Sequence, residues 1–191
     1  VPYTMHGNPS QPDWLEDLVH ATGLKREQAF AAMMGAWHVP IYSFLRSMLN
    51  EHDDAADATQ ETFLQVFRSI ETFRGEAKFS TWLYTIARSK GLDALRSRKQ
   101  LDLRHAHSEA SEWEARLEAD PFFDGDEAER KLHAALQILP ARQREVFTLR
   151  YFQEMAYADI AQLTGTSEGA AKASFFHAKN KVQAHLSSST D

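Results

Sequence analysis

Apolar residues recur three and four positions apart along almost the whole chain, and no segment shows the alternation of period two that a half-buried strand requires. An all-α fold follows. The punctuation divides it. A short helix is expected over 13–22, closed by Gly23. A second begins near Arg26, and Pro40 should break or restart it before 41–49. Asp53 or Asp54 is expected to cap a helix reaching Ile70, followed by a loop over 72–79 around Gly75. Ser80 then caps a helix to about Gln100. Residues 105–125 are acidic, carry Pro121 and Gly125, and show only a weak period around Trp113 and Leu117, as a linker would. The helical period returns over 126–139. Pro140 opens a helix to 152, a short helix covers 156–163, Gly165 turns the chain, and Thr166 or Ser167 caps a last helix to about Leu186. The expected plan is an N-terminal extension over 1–23, a helical domain over 24–103, a linker over 104–125 and a second helical domain over 126–187.

Charge sharpens the division. The 191 residues carry a formal net charge of −6, which taken alone argues against nucleic acid. The distribution argues for it: residues 68–104 hold 9 basic and 4 acidic side chains, 105–130 hold 2 and 9, and 131–191 hold 7 and 5. Two basic blocks flanking an acidic one mark separate interaction surfaces. With no cysteine there is no disulfide, thiolate metal site or cysteine nucleophile. No apolar run approaches the roughly 20 residues of a membrane span, and the first residues lack a signal pattern, so no membrane insertion and a cytoplasmic location are expected.

Tyr157 to Val182, YADIAQLTGTSEGAAKASFFHAKNKV, has the spacing of a helix-turn-helix. Ala161 and Ala171 are small where two helices cross, and Gly165 supplies a turn position that favours positive φ. The second helix of such a unit enters the major groove. On that helix Ala171, Phe175, Ala178, Val182 and Leu186 form the core stripe. Lys172, Lys179 and Lys181 can meet phosphates, Asn180 a base or phosphate, and Phe176 lies on the polar arc, where it can meet a thymine methyl, a partner or a neighbouring helix.

Phe73 to Lys99, FRGEAKFSTWLYTIARSKGLDALRSRK, places Leu83, Ile86, Ala87 and Ala94 on one stripe of a helix. Arg88, Arg96, Arg98 and Lys99 fall on the opposite arc, flanked by Ser89 and Asp93, with Lys90 toward the core. A one-sided basic arc is a footprint of backbone binding. Phe79 and Trp82 read first as core, which leaves the 74–78 loop as the better place to hold an extruded base. On the preceding helix, Thr59, Phe63, Val66, Phe67 and Ile70 form the expected buried stripe. Leu64 sits on the far side among Asp57, Gln60, Glu61 and Arg68, as a docking patch would place it.

Asp53 to Lys99, DDAADATQETFLQVFRSIETFRGEAKFSTWLYTIARSKGLDALRSRK, resembles region 2 of the extracytoplasmic-function sigma factors of the sigma-70 family. Leu139 to Val182, LPARQREVFTLRYFQEMAYADIAQLTGTSEGAAKASFFHAKNKV, resembles their region 4. The resemblance implies a subunit that binds core RNA polymerase, recognises and melts promoters and starts transcription, with no cofactor, no metal and no catalytic residue. Carried over, the face toward the β′ clamp is Asp57, Gln60, Glu61 and Leu64. Minus-ten DNA falls to Arg74, Lys78, Ser80, Arg88, Ser89, Asp93, Arg96, Arg98 and Lys99. Minus-thirty-five DNA falls to Ser167, Lys172, Ser174, Phe176, His177, Lys179 and Asn180. Region 4 would also meet the β flap. An anti-sigma factor is an implied partner, and one could hold the protein at the inner membrane.

Three positions depart from the family pattern. Ser89 stands where Asn usually follows the Ile-Ala-Arg triplet, with a shorter reach and a hydroxyl in place of an amide. Ser174 and His177 stand where the recognition helix usually carries Arg, which puts the usual readout in doubt. The rival reading is a helix-turn-helix regulator that never joins polymerase. An enzyme is not expected: His105 and His107 are close in sequence, but no HExxH motif or paired His on one helix face accompanies them.

Overall fold

Pro40 lies inside a single helix, α2 (Leu24–Met48), contrary to the expected break. The missing donor and the ring clash cost about 3 kcal/mol in an isolated helix. Here Met33 on one side and Ile41, Phe44 and Leu45 on the other are all buried in one core, and that burial holds both halves in line. The computed structural model describes residues 12–49, 51–104 and 127–188, and every element among them is helical. The linker expectation over 104–125, apart from Arg104, and the His105–His107 pair lie outside the described residues.

The first domain is built from α1 (Trp14–His20), α2, α3 (His52–Ser69), a 3-10 turn (Ile70–Thr72) and α4 (Phe79–Arg104). Leu15 and Leu18 of α1, which fall in the expected extension, are buried against α2. Asp53 and Asp54 do not cap α3: Glu51 is the residue before its first turn, and the two aspartates sit within that turn, favourable to the helix dipole. Ser80 likewise lies inside α4, which begins one residue earlier. Buried hydroxyls are satisfied locally. Thr59 donates to the Ala55 carbonyl at 2.7 Å and Thr62 to the Ala58 carbonyl at 2.7 Å, so polar residues can face the core. Gly91 permits the close crossing of α4 on α2: a Cβ there would meet Leu45 Cδ2 at 3.0 Å and Met48 Cε at 3.1 Å.

The second domain contains α5 (Glu127–Gln137), α6 (Ala141–Tyr151), α7 (Tyr157–Thr164) and α8 (Glu168–Ser188). Gly165 ends α7 at φ 66°, ψ 40°, with its N–H and that of Thr166 directed back to the last turn. Of the two expected caps, Ser167 is the one used: its Oγ accepts the Ala170 N–H at 3.1 Å. Ala171, Ala178 and Val182 of α8 are buried as expected, with Phe175 and Leu186 packed beside them.

The two domains lie against each other. Val146 and Leu149 of α6, together with Met155, Ile160, Leu163 and Ala171, belong to the same buried apolar cluster as the first domain's core. Phe147 turns the other way, into a smaller cluster with Leu136, Leu139, Ala178 and Val182. Arg144 ties the two halves further, donating to the Ser47 carbonyl near the end of α2 at 3.2 Å and to the Leu139 carbonyl at 3.1 Å. Burial pulls this guanidinium below its ordinary pKa.

Candidate nucleic-acid and partner-docking faces

On α3, Asp57, Gln60, Glu61 and Leu64 are exposed together, as the helical spacing requires. Leu64 keeps 40% of its surface in water. Beside this ridge runs an apolar groove of about 570 Å³ between α2 and α3. Phe30, Met34, His38 and Phe63 are among the residues that line it, and Gln60 and Leu64 form part of its wall. Phe67, placed in the buried stripe by its period, is 46% exposed instead. It packs edge-on against Phe30 with ring centres 5.2 Å apart, under the Arg26 guanidinium at 5.4 Å. The groove is not evident from the sequence; its one local signal is Phe30 and Met34, four residues apart on α2.

The basic arc of α4 is divided by what surrounds it. Arg96 and Lys99 are exposed, Arg96 with a 2.8 Å pair to Asp93 one turn earlier, and Ser89 is exposed beside them. Arg98 turns to the start of α3, meeting Asp54 at 2.7 Å and Glu51 at 3.2 Å. Burial disfavours its charge, but the hydrogen bond and charge of Asp54, with Glu51 behind, more than offset that and hold its pKa above the ordinary value. Arg88 points to the second domain, where its Nε donates to Glu145 of α6. In the loop before α4, Arg74 is exposed, Gly75 adopts φ 72°, and Lys78 Nζ meets Asp159 of α7 at 2.9 Å. Ser80 is half-buried.

The aromatics of this segment are packed together. Phe79 and Tyr84 are buried, and Trp82 lies against Phe73 with ring centres 5.3 Å apart. Trp14 and Trp37 close edge-on against Phe79. These rings build the core, which leaves the 74–78 loop and α4's polar arc at the surface.

On α8, Lys172, Phe176, His177, Lys179, Asn180 and Lys181 are exposed, Ser167 is exposed at the cap, and Ser174 is half-buried. Phe176 keeps 60% of its surface in water, so of the alternatives open from the sequence the covered one is removed. Lys172 pairs with Glu168 at 2.7 Å and lies over the Tyr157 ring at 5.8 Å. Among the described residues no group of three or more His, Asp or Glu is placed to hold a metal, and no helix is long and apolar enough to cross a membrane.

Comparison with known proteins decides the family. Residues 33–100 match the model of Sigma-70 region 2, and residues 129–182 match that of Sigma-70, region 4. The chain is 30% identical to the RNA polymerase sigma factor SigV of Bacillus subtilis over 145 residues, covering 76% of this chain and 83% of that protein. It belongs to the extracytoplasmic-function sigma factors. To another relative so named, SigW of Bacillus subtilis, the sigma factor is 27% identical over 168 residues, covering 84% of this chain and 90% of that one. Its fold is similar to that of the sigma factor RpoE of Bartonella quintana, solved in complex with the anti-sigma factor NepR. The TM-score is 0.72 at 24% identity, over 84% of this chain and 98% of that chain.

Proposed function

We propose that this sigma factor joins core RNA polymerase, brings it to its promoters, and opens them there, under the control of an anti-sigma factor. Region 2 spans 24–103 and region 4 spans 126–187 in this reading, with 104–125 passing between them. The exposed ridge of Asp57, Gln60, Glu61 and Leu64 beside the α2–α3 groove carries it, because a helix-turn-helix regulator working without polymerase needs no such face. An acidic rim with an apolar wall is the face that would meet the coiled coil of the β′ clamp.

Arg74, Lys78, Ser80, Arg88, Ser89, Asp93, Arg96, Arg98 and Lys99 then form the minus-ten surface. Ser167, Lys172, Ser174, Phe176, His177, Lys179 and Asn180 form the minus-thirty-five surface, and region 4 also meets the β flap. The work is binding and deformation, with no bond chemistry in this subunit. Opening duplex costs about 1.4 kcal/mol per stacking step, which extruded bases held on the protein and phosphate contacts must offset. The protein acts in the cytoplasm in this reading.

The test is run-off transcription with core polymerase on a promoter library. Wild type is expected to produce discrete transcripts. Arg96→Ala with Lys99→Ala is expected to weaken promoter complexes and to lower the slope of log affinity against log salt by about 2, roughly one per lost phosphate contact. Glu61→Ala with Leu64→Ala is expected to reduce co-purification with core polymerase while leaving the helical circular dichroism unchanged. Wild type that neither co-purifies with polymerase nor yields transcripts refutes the proposal.

A further inference from the structure

The 74–78 loop has little of its own to fix its shape. Arg74, Gly75, Glu76 and Lys78 are exposed, Gly75 adopts φ 72°, and a Cβ at Gly75 would meet nothing within 4 Å. The Lys78–Asp159 pair touches the loop, but Lys78 is half in water, where salt weakens such a pair. The two ends of the loop are held instead. Phe73, just before it, and Phe79, just after it, meet edge-on with ring centres 5.8 Å apart. Trp82 lies against Phe73 at 5.3 Å and against Phe79 at 5.8 Å. These rings close the loop at its base. A second element braces the closure. Trp14 of α1 meets Phe79 edge-on at 5.2 Å, and α1 packs on the 3-10 turn that leads into Phe73. Leu15 and Leu18, both buried, anchor α1 on α2. So α1 touches the chain on both sides of the loop, although it lies before residue 33, where the match to Sigma-70 region 2 begins.

From this juxtaposition we infer that Trp14 is a positioning residue for promoter opening: through Phe79 it holds the 74–78 loop in the shape that receives an extruded base, and so sharpens the choice of minus-ten base. The inference rests on the promoter-opening reading of that loop. An unbraced loop must be ordered when the base arrives, and the cost of ordering is subtracted from the affinity for the base. The ridge on α3 and the polar arc of α8 do not include Trp14, so polymerase docking and minus-thirty-five binding should not depend on it.

Trypsin cuts after Arg74 and Lys78, so it reads the loop in the free, full chain. At raised salt, which screens the Lys78–Asp159 pair, Trp14→Ala is expected to be cut there about tenfold faster than wild type, and Trp14→Phe, which keeps a ring edge, within about twofold of it. The functional arm uses holoenzyme on a promoter chosen from the library by run-off transcription, with permanganate reactivity of thymines in the opened segment as the measure. Trp14→Ala is expected to lower opening about tenfold and to bring the preference for the chosen minus-ten base over its substitutes close to one. Co-purification with core polymerase and binding to a duplex holding only the minus-thirty-five element should stay as in wild type, and Trp14→Phe should restore opening and preference. Trp14→Leu, apolar but without a ring, decides the matter if the alanine variant loses helical circular dichroism: it is expected to open poorly, and opening at the wild-type level would overturn the inference. Unchanged cleavage in Trp14→Ala, or faster cleavage with unchanged opening, overturns it too and leaves the sigma function standing. Wild-type holoenzyme that yields no transcripts removes the promoter reading itself, and Trp14 is then a structural contact whatever trypsin shows.

Discussion

Tyr84 shows how much a single buried atom can matter. Its ring is almost wholly enclosed, edge-on to Phe44 at 5.2 Å and to Trp37 at 6.1 Å, and its hydroxyl has no hydrogen-bond partner among the described residues. Burial pushes the phenol well above its ordinary pKa, so the group stays neutral and acts only as an unpaired dipole in an apolar site. A buried polar group without a partner costs about 1–3 kcal/mol, whereas removing it with little change of shape is neutral or favourable. Tyr84→Phe is therefore expected to raise unfolding stability by about 1 kcal/mol. Urea denaturation reads this as a higher midpoint at unchanged slope, and a loss of stability would mean that the hydroxyl has a partner after all. Arg98 makes the opposite point at the same scale: a cation read from its helical arc as DNA-facing is paired with Asp54 of α3 and with Glu51 just before it, so it must exchange those partners to meet a phosphate.

Among the elements, the α7–Gly165–α8 turn was the most legible in the sequence, and its chemistry explains why. Its shape is set locally, by a residue that must reach φ 66° and by Ser167 three positions before the N–H it caps. No side chain added at Gly165 would strike a neighbour within 4 Å, so the cost of replacing it is purely conformational. Gly165→Ala is expected to cost about 1–2 kcal/mol, and Gly165→Asn distinctly less, since Asn tolerates the left-handed region. Thermal unfolding of the two variants side by side checks the order; equal losses would point to a packing effect. Pro40 failed as a marker for the reverse reason. A local break is overridden when Met33 and Ile41 on either side enter the same core, and that core is not visible in a periodicity. Phe67 failed similarly: period placed it on the buried stripe, but Phe30 of α2 covers it only edge-on and nearly half of its surface stays in water. Arg88 sits on the arc that the helical wheel assigned, yet a wheel carries no information about the second domain that meets it.

At the scale of the whole molecule, one apolar cluster runs through both domains, and this has a thermodynamic consequence. Leu149 is fully buried in it, although α6 belongs to the second domain. Among the described residues, the ring contacts of Trp14, Trp37 and Trp82 are with first-domain aromatics, Phe79, Tyr84 and Phe73, so their fluorescence reports on that domain. With Trp113 replaced by Phe, those three report alone. Leu149→Ala removes buried methyl groups and leaves a cavity, at about 2–5 kcal/mol. If the cluster couples the domains, the tryptophan transition should move to lower denaturant together with the helical circular dichroism, although the substitution lies in the other domain. Independent domains would instead leave the tryptophan curve in place while part of the helical signal melts early. Glu145→Gln with Asp159→Asn should partly separate the two curves in the same experiment, because it weakens the ion pairs to Arg88 and Lys78 across the domains and leaves each domain's own packing intact.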